Sequence, residues 1–255
     1  MSCGSDKARR RKVTPSRSQN RGNTGPQAVF PLFFLVDNMG RFITFEGIEG
    51  AGKTTQMRLA GRYLRALKIP CITTQEPGGT ALGKKIRRIL LNQGNYTVAA
   101  EAELMLFLAA RLQHVREIIT PALNEGKWVL CDRFVDATYA YQGFGRGLDL
   151  ALIKRLHELT IGPTTKPDLT FLFDLPPEEG LRRALRRIAR RKSNKEDRFE
   201  REMAAFHEKI REGYLTLAKK EPQRFIIIDA GQEVMAIQDN VRRALEKMAR
   251  DSGYL

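Results

Sequence analysis

The residues with the most explicit chemistry lie between Gly47 and Thr55. Gly47-Ile48-Glu49-Gly50-Ala51-Gly52-Lys53-Thr54 fits the spacing G-x-x-x-x-G-K-[ST], and Thr55 follows it. Glycines let a backbone curl so that successive N–H groups point inward at an anion. A helix opening at Lys53 adds its own unpaired N–H groups and the positive end of its dipole. The Lys53 ammonium can then meet the outer phosphates, and the Thr54 hydroxyl can ligate Mg²⁺. The constellation implies binding of a nucleoside triphosphate. It leaves kinase, ATPase, GTPase and helicase open.

Three more clusters follow apolar runs. Glu76-Pro77-Gly78-Gly79-Thr80 suits close approach of a phosphate or a backbone, and equally suits a rigid turn. In Asp132-Arg133-Phe134, a carboxylate directly after a buried run can orient Mg²⁺ or its water, and the guanidinium can grip a phosphate. A solvated, salt-bridged strand end reads the same way. Asp174, after a later run, reads as structural.

The elements that must hold these clusters alternate. The apolar runs RFITFE (41–46), IPCITT (69–74), KWVLC (127–131), DLTFLFD (168–174) and FIIID (225–229) read as strands. Helical spacing predicts helices after the phosphate motif, over 82–91, 99–125, 148–161, 176–191, 199–220 and 233–249, with Pro121 kinking the long one or opening its last turns. Strands apolar along their whole length are covered on both faces by helices. The predicted fold class is therefore α/β, a three-layer domain around a five-stranded parallel sheet, with ligands beyond the carboxyl ends of its strands.

Composition narrows the class without deciding it. The 255 residues carry 44 Lys plus Arg against 29 Asp plus Glu, a net charge of +15, which implies anionic partners. Three cysteines without CxxC spacing and three histidines exclude a zinc signature, and point to a reducing, cytoplasmic setting. No apolar run approaches the length of a membrane span. Residues 1–38 open with a basic, aperiodic stretch and are expected to be a disordered extension, or to precede a true start at Met39; a single domain is expected over 39–255. Between Arg182 and Arg201 stand ten basic side chains, opposed only by Glu196, Asp197 and Glu200. That excess is too great for pairing along a helix. It predicts a basic helical lid, about 186–200, that closes over polyphosphate. A nucleic-acid footprint is the competing use of the same charge.

Taken together, FEGIEGAGKTT (45–55), EPGGT (76–80), FLAAR (107–111) leading to IITPAL, DRFVDATYAYQG (132–143) and DRFE (197–200) closely resemble bacterial thymidylate kinases. The resemblance runs from Arg41 to about Arg243. It implies a nucleoside-monophosphate-kinase-like P-loop fold and a homodimer that moves the γ-phosphoryl of ATP to dTMP with Mg²⁺, in dTTP synthesis. By resemblance, ATP is held by Gly47 through Thr55. Phe107 stacks on thymine, Arg111 donates to its carbonyl, and Thr138, Tyr141 and Gln142 surround base and sugar. Tyr141 crowds the 2′ position, and Glu49 lies near the 3′-hydroxyl and the metal. Pro77 is among the dTMP-binding residues, Arg87 holds the dTMP monophosphate, and Arg133 bridges donor and acceptor phosphates. Thr54 and Asp132 serve the metal, Asp132 through water. Gly50 stands where one variant of the family has an arginine, so the catalytic arginines are expected from the lid: Arg190, Arg191 and Arg198. Another nucleoside-monophosphate kinase, or a nucleic-acid-binding P-loop ATPase, is the alternative.

Overall fold

The structure is a computed structural model that describes residues 40–91, 97–162, 165–190 and 204–255. In chain order it runs β1 (Phe42–Glu46), α1 (Lys53–Ala66), β2 (Cys71–Gln75), α2 (Ala81–Leu91), α3 (Ala100–His114), a π-helical turn (Val115–Ile119), α4 (Thr120–Asn124), β3 (Trp128–Asp132) and α5 (Val135–Thr138). A second π-helical stretch (Tyr139–Gly145) leads to α6 (Leu150–Ile161), β4 (Leu169–Asp174), α7 (Pro177–Arg190), α8 (Ala204–Lys220), β5 (Phe225–Asp229) and α9 (Val234–Asp251).

The five strands pair in parallel, in the order β2-β3-β1-β4-β5. Every residue of β1 and β3 is buried, whereas β2 and β5 show exposed positions. That follows from the order, which puts β2 and β5 at the edges. Successive side chains go to opposite faces. Ile43, Phe45 and Leu130 pack into a cluster with Met57, Ala60 and Leu64 of α1 and Val241 and Leu245 of α9. Phe42, Val129 and Cys131 point the other way, to Val115, Ile119, Ala122 and Phe134. Both faces are covered, and the strands read as continuous apolar runs for that reason.

Two helical features depart from the sequence reading. The helix expected over 99–125 is interrupted by the turn Val115–Ile119, directly before Pro121. Proline lacks an N–H and its ring crowds the preceding turn, so a wider turn there accommodates it. The segment after Phe134, for which no element is expected, is helical through Gly145. It packs on α8, where a side chain at Gly213 would meet the ring of Phe144 and one at Gly145 the ring of Phe206. Its π-helical hydrogen bonds break the 3.6-residue period by which a helix is recognised.

From β1 the chain crosses to the edge strand β2, returns to β3 beside β1, then passes to β4 and β5 on the other side. The carboxyl ends of β1 and β3 lie side by side, with Phe45 in register with Asp132. In such sheets the crevice at this reversal is where ligands sit.

Candidate active site

The loop Gly47–Gly52 joins the carboxyl end of β1 to the first turn of α1. Ile48 and Ala51 are buried in the main core and peg the loop from beneath. Gly50 has φ +74, and a Cβ on it would stand 2.1 Å from the carbonyl oxygen of Gly180 in α7. Thr55 is exposed in the first turn of α1. The Lys53 ammonium donates to the Ile48 carbonyl at 2.6 Å and is almost wholly buried. Burial and the nearby Arg133 charge lower its pKa to about 8, against the pull of Asp132, Glu49 and Glu46. The exposed Thr54 donates its hydroxyl to the Asp132 carboxylate. Asp132 is therefore no solvated strand end; it closes onto the phosphate loop.

Arg133, just past β3, has φ +69, an unusual value for a residue with a side chain. Its backbone N–H continues the ladder to Phe45. Its guanidinium donates to Glu49 at 2.8 Å and to the Tyr214 hydroxyl at 3.2 Å, and lies over the Tyr141 ring. Burial works to raise the Glu49 carboxyl, but Arg133, His207 and Lys53 outweigh it and hold it well below the ordinary carboxylate range. Burial likewise opposes the Arg133 charge, and Tyr141, Glu49, Tyr214 and Glu46 more than offset it. Under this pair lies Glu46, fully buried, which accepts from the Phe134 N–H and the Tyr214 hydroxyl at 2.7 Å each.

Opposite the phosphate loop, Phe107 is half-buried: its ring packs on the core and also lines the cleft. Arg111, one turn on, lines the same cleft and is 1% exposed. Thr138 accepts from Arg111 at 2.9 Å, and Gln142 donates to the buried Glu103 at 2.9 Å. Arg87, on α2, reaches the Pro77 carbonyl at 3.1 Å. One cleft thus gathers Glu49, Lys53, Thr54, Pro77, Arg87, Phe107, Arg111, Asp132, Arg133, Thr138, Tyr141 and Gln142.

Of the lid expected over about 186–200, residues 191–200 lie outside the described residues. Arg190 ends α7, and Arg191 and Arg198, with the DRFE landmark, lie outside the described residues. Among the described residues of α7 the arginine that lines the cleft is Arg187, which the sequence reading did not single out. Asp174 pairs with Arg211 of α8 through two hydrogen bonds, at 2.7 and 3.0 Å. Sequence reasoning missed Glu46, His114, His207 and Tyr214, and named Glu76 only as the first residue of the Glu76–Thr80 turn. His114 had a signal, since it stands three residues after Arg111 on the same helix face. The others are brought in by tertiary packing alone.

The arrangement can hold a polyphosphate at one end, a flat ring at the other, and cations between them. Comparison with known proteins agrees. Residues 45–241 match the family model described as thymidylate kinase. The thymidylate kinase of Syntrophus aciditrophicus (strain SB) is 58% identical over 209 residues, spanning 82% of this chain and 95% of that protein. That of Desulfosudis oleivorans is 52% identical over 208 residues, spanning 81% and 97%. The crystal structure of thymidylate kinase from Ehrlichia chaffeensis superposes with a TM-score of 0.65 at 34% identity, covering 82% of this chain and 99% of that one. On the family match, the identity of these relatives and the shared fold, the chain belongs to the thymidylate kinase family.

Proposed function

We propose that this chain transfers the γ-phosphoryl of ATP to dTMP, giving ADP and dTDP, with the residues of this cleft in the roles that follow. The observation that carries the reading is the single hydrogen-bonded unit of Glu49, Arg133 and Tyr141, which ties the phosphate loop to the wall that bears Phe107 and Arg111.

The backbone of Gly47 through Thr55 and the Lys53 ammonium hold the donor phosphates. Phe107 offers its face to the base, and Arg111 donates to a base carbonyl. Thr138, Gln142 and Tyr141 enclose base and sugar, and Glu49 meets the sugar edge. Pro77 and Arg87 seat the acceptor monophosphate. That phosphate is already anionic, so no general base is required. Catalysis is alignment plus neutralisation of charge. Arg133 bridges the two phosphates once it leaves Glu49, and Arg187, with Arg190, Arg191 and Arg198, covers the transferring group as the lid closes.

The oxygens of Thr54 and Asp132 suit Mg²⁺, which keeps several waters and takes few protein ligands. When bound, the ion would neutralise charge between the β- and γ-phosphates. Thr54 would ligate it, and Asp132 would hold one of its waters.

The domain runs over 39–255, with the lid at about 186–200, and acts in the cytoplasm. Among the described residues no helix is long and apolar enough to cross a membrane. Exposed Leu82 and Ile89 on α2, Met105 on α3, and Leu152 and Leu159 on α6 lie on three successively packed helices; they are the surface proposed for a homodimer. A coupled ADP-release assay over dTMP, dUMP, AMP, GMP and thymidine tests the function. The expected result is strong preference for dTMP. Equal turnover of a purine monophosphate would overturn it.

A further inference from the structure

The Arg111 guanidinium is almost entirely spent on the protein. Its Nε donates to Glu76 Oε2 at 2.7 Å, one Nη to the Thr138 hydroxyl at 2.9 Å and to His157 Nε2, and the other Nη to the Phe134 carbonyl at 2.9 Å. An arginine has five N–H donors, and these bonds engage four. One N–H, on the second Nη, remains for anything that enters the cleft. The partners are themselves fixed. Arginine can only donate, so His157 Nε2 accepts, and its Nδ1–H donates to the Ile153 carbonyl at 3.0 Å. Burial first, and then the Arg111 charge, lower the His157 pKa to about 3, so the ring stays neutral beside the guanidinium.

Glu76 is the charged partner in this set, and it is 4% exposed. Its backbone N–H is tied to the Asp132 carbonyl at 3.0 Å, which sets it on the sheet. Its second oxygen accepts from His114 Nδ1 at 2.9 Å, and His114 Nε2 shares a hydrogen bond with the Thr74 hydroxyl at 2.6 Å. The His114 ring lies against Gly79, where a Cβ would fall 2.3 Å from Nε2. The second glycine of the EPGGT turn therefore makes room for a histidine, and the glutamate of the same turn joins that histidine to Arg111.

We propose that Glu76 and His114 are positioning residues that hold Arg111 in one orientation, so that its remaining N–H recognises a ring carbonyl on the pyrimidine and rejects an exocyclic amine at that place. This rests on the proposed reading of Arg111 as the group that meets the base. A guanidinium free to turn could offer different edges to different bases. One clamped on four sides offers a single donor in a single direction. A base that presents an amine there leaves two donors facing each other without an acceptor, which is costly once buried.

The test measures kcat and KM for dTMP and dCMP, and KM for ATP, in Glu76→Gln, His114→Leu, His114→Asn and Arg111→Lys. Loss of the charged bond in Glu76→Gln should raise the KM for dTMP by roughly ten-fold or more, with kcat at saturation and the KM for ATP within about two-fold. The preference for dTMP over dCMP should narrow. His114→Leu should act alike. His114→Asn keeps a donor near the Nδ1 position and should recover most of the loss, although it fills the space worse than Leu does. This pair keeps the test decisive if Glu76→Gln fails to fold. An unchanged KM for dTMP in folded His114→Leu, or no recovery with Asn, overturns the positioning role. An unchanged KM for dTMP in Arg111→Lys overturns instead the reading of Arg111 on which the proposal rests.

Discussion

The Tyr141 hydroxyl stands 2.7 Å from each carboxylate oxygen of Glu49, so a phenol on one wall of the cleft is centred on a carboxylate of the phosphate loop. The contact joins two halves of the cleft that come from segments 92 residues apart. His207 Nδ1 approaches the same carboxylate at 3.4 Å, and Arg133 donates to it. Glu49 is thus the carboxylate on which Tyr141, Arg133 and His207 converge.

Ring and hydroxyl of Tyr141 should separate on mutation. Tyr141→Phe keeps the ring proposed to crowd a 2′-hydroxyl and loses the link to Glu49. It should raise the KM for dTMP several-fold while preserving preference for the deoxynucleotide. Tyr141→Ala should lose that preference. Comparing kcat/KM for dTMP and its ribonucleotide counterpart checks both.

Arg133→Ala should lower kcat by about 100-fold or more, the scale of losing one donor aimed at developing charge. Arg133→Lys should restore little, because a point charge cannot span two phosphates as a planar fork does. Wild-type turnover in the folded Ala variant, measured by ADP release, would remove the bridging role.

The ammonium of Lys53 loses its proton near pH 8 in the free protein. kcat/KM for ATP, which reports the free enzyme, should fall as pH rises through that value. kcat should hold to higher pH, since bound phosphates favour the charged form. In Lys53→Met the alkaline fall in kcat/KM should vanish along with most of the activity.

Burial, and then the neighbouring Asp136 charge, push the Glu46 carboxyl from 4.5 up to about 7. Between those values the folded state binds more protons than the unfolded state, so this group's contribution is full at low pH and is lost as pH rises through 7. Glu46→Gln mimics the protonated form. Relative to wild type, its melting temperature should climb from pH 5 to pH 8 at fixed salt. A constant difference would mean that Glu46 does not titrate in that range.

Much of the fold was legible because its signals are local. β1, β3 and β4 are apolar along nearly their whole length, and the phosphate motif stands between a strand and a helix. Phe107 and Arg111 share a face, as i and i+4 must. What escaped depends on packing. Glu46 and Tyr214, 168 residues apart, meet only once α8 lies over the sheet. His207 comes from the same helix. The helical stretch through Gly145 carries its register in wide turns, which a search for a 3.6-residue period overlooks. The basic run did not say which arginine lines the cleft, because the repeated arginine pairs of α7 look alike in sequence.

The near-contact of Gly50 with Gly180 bears on how such enzymes diverge. A Cβ on either glycine would overlap the other's segment, at 2.1 Å from the Gly180 carbonyl oxygen and 2.5 Å from that of Glu49. In this chain a cationic side chain at Gly50 would meet the backbone of α7. The helix would have to retreat first, so chimeras that exchange the loop alone should be poor starting points for engineering.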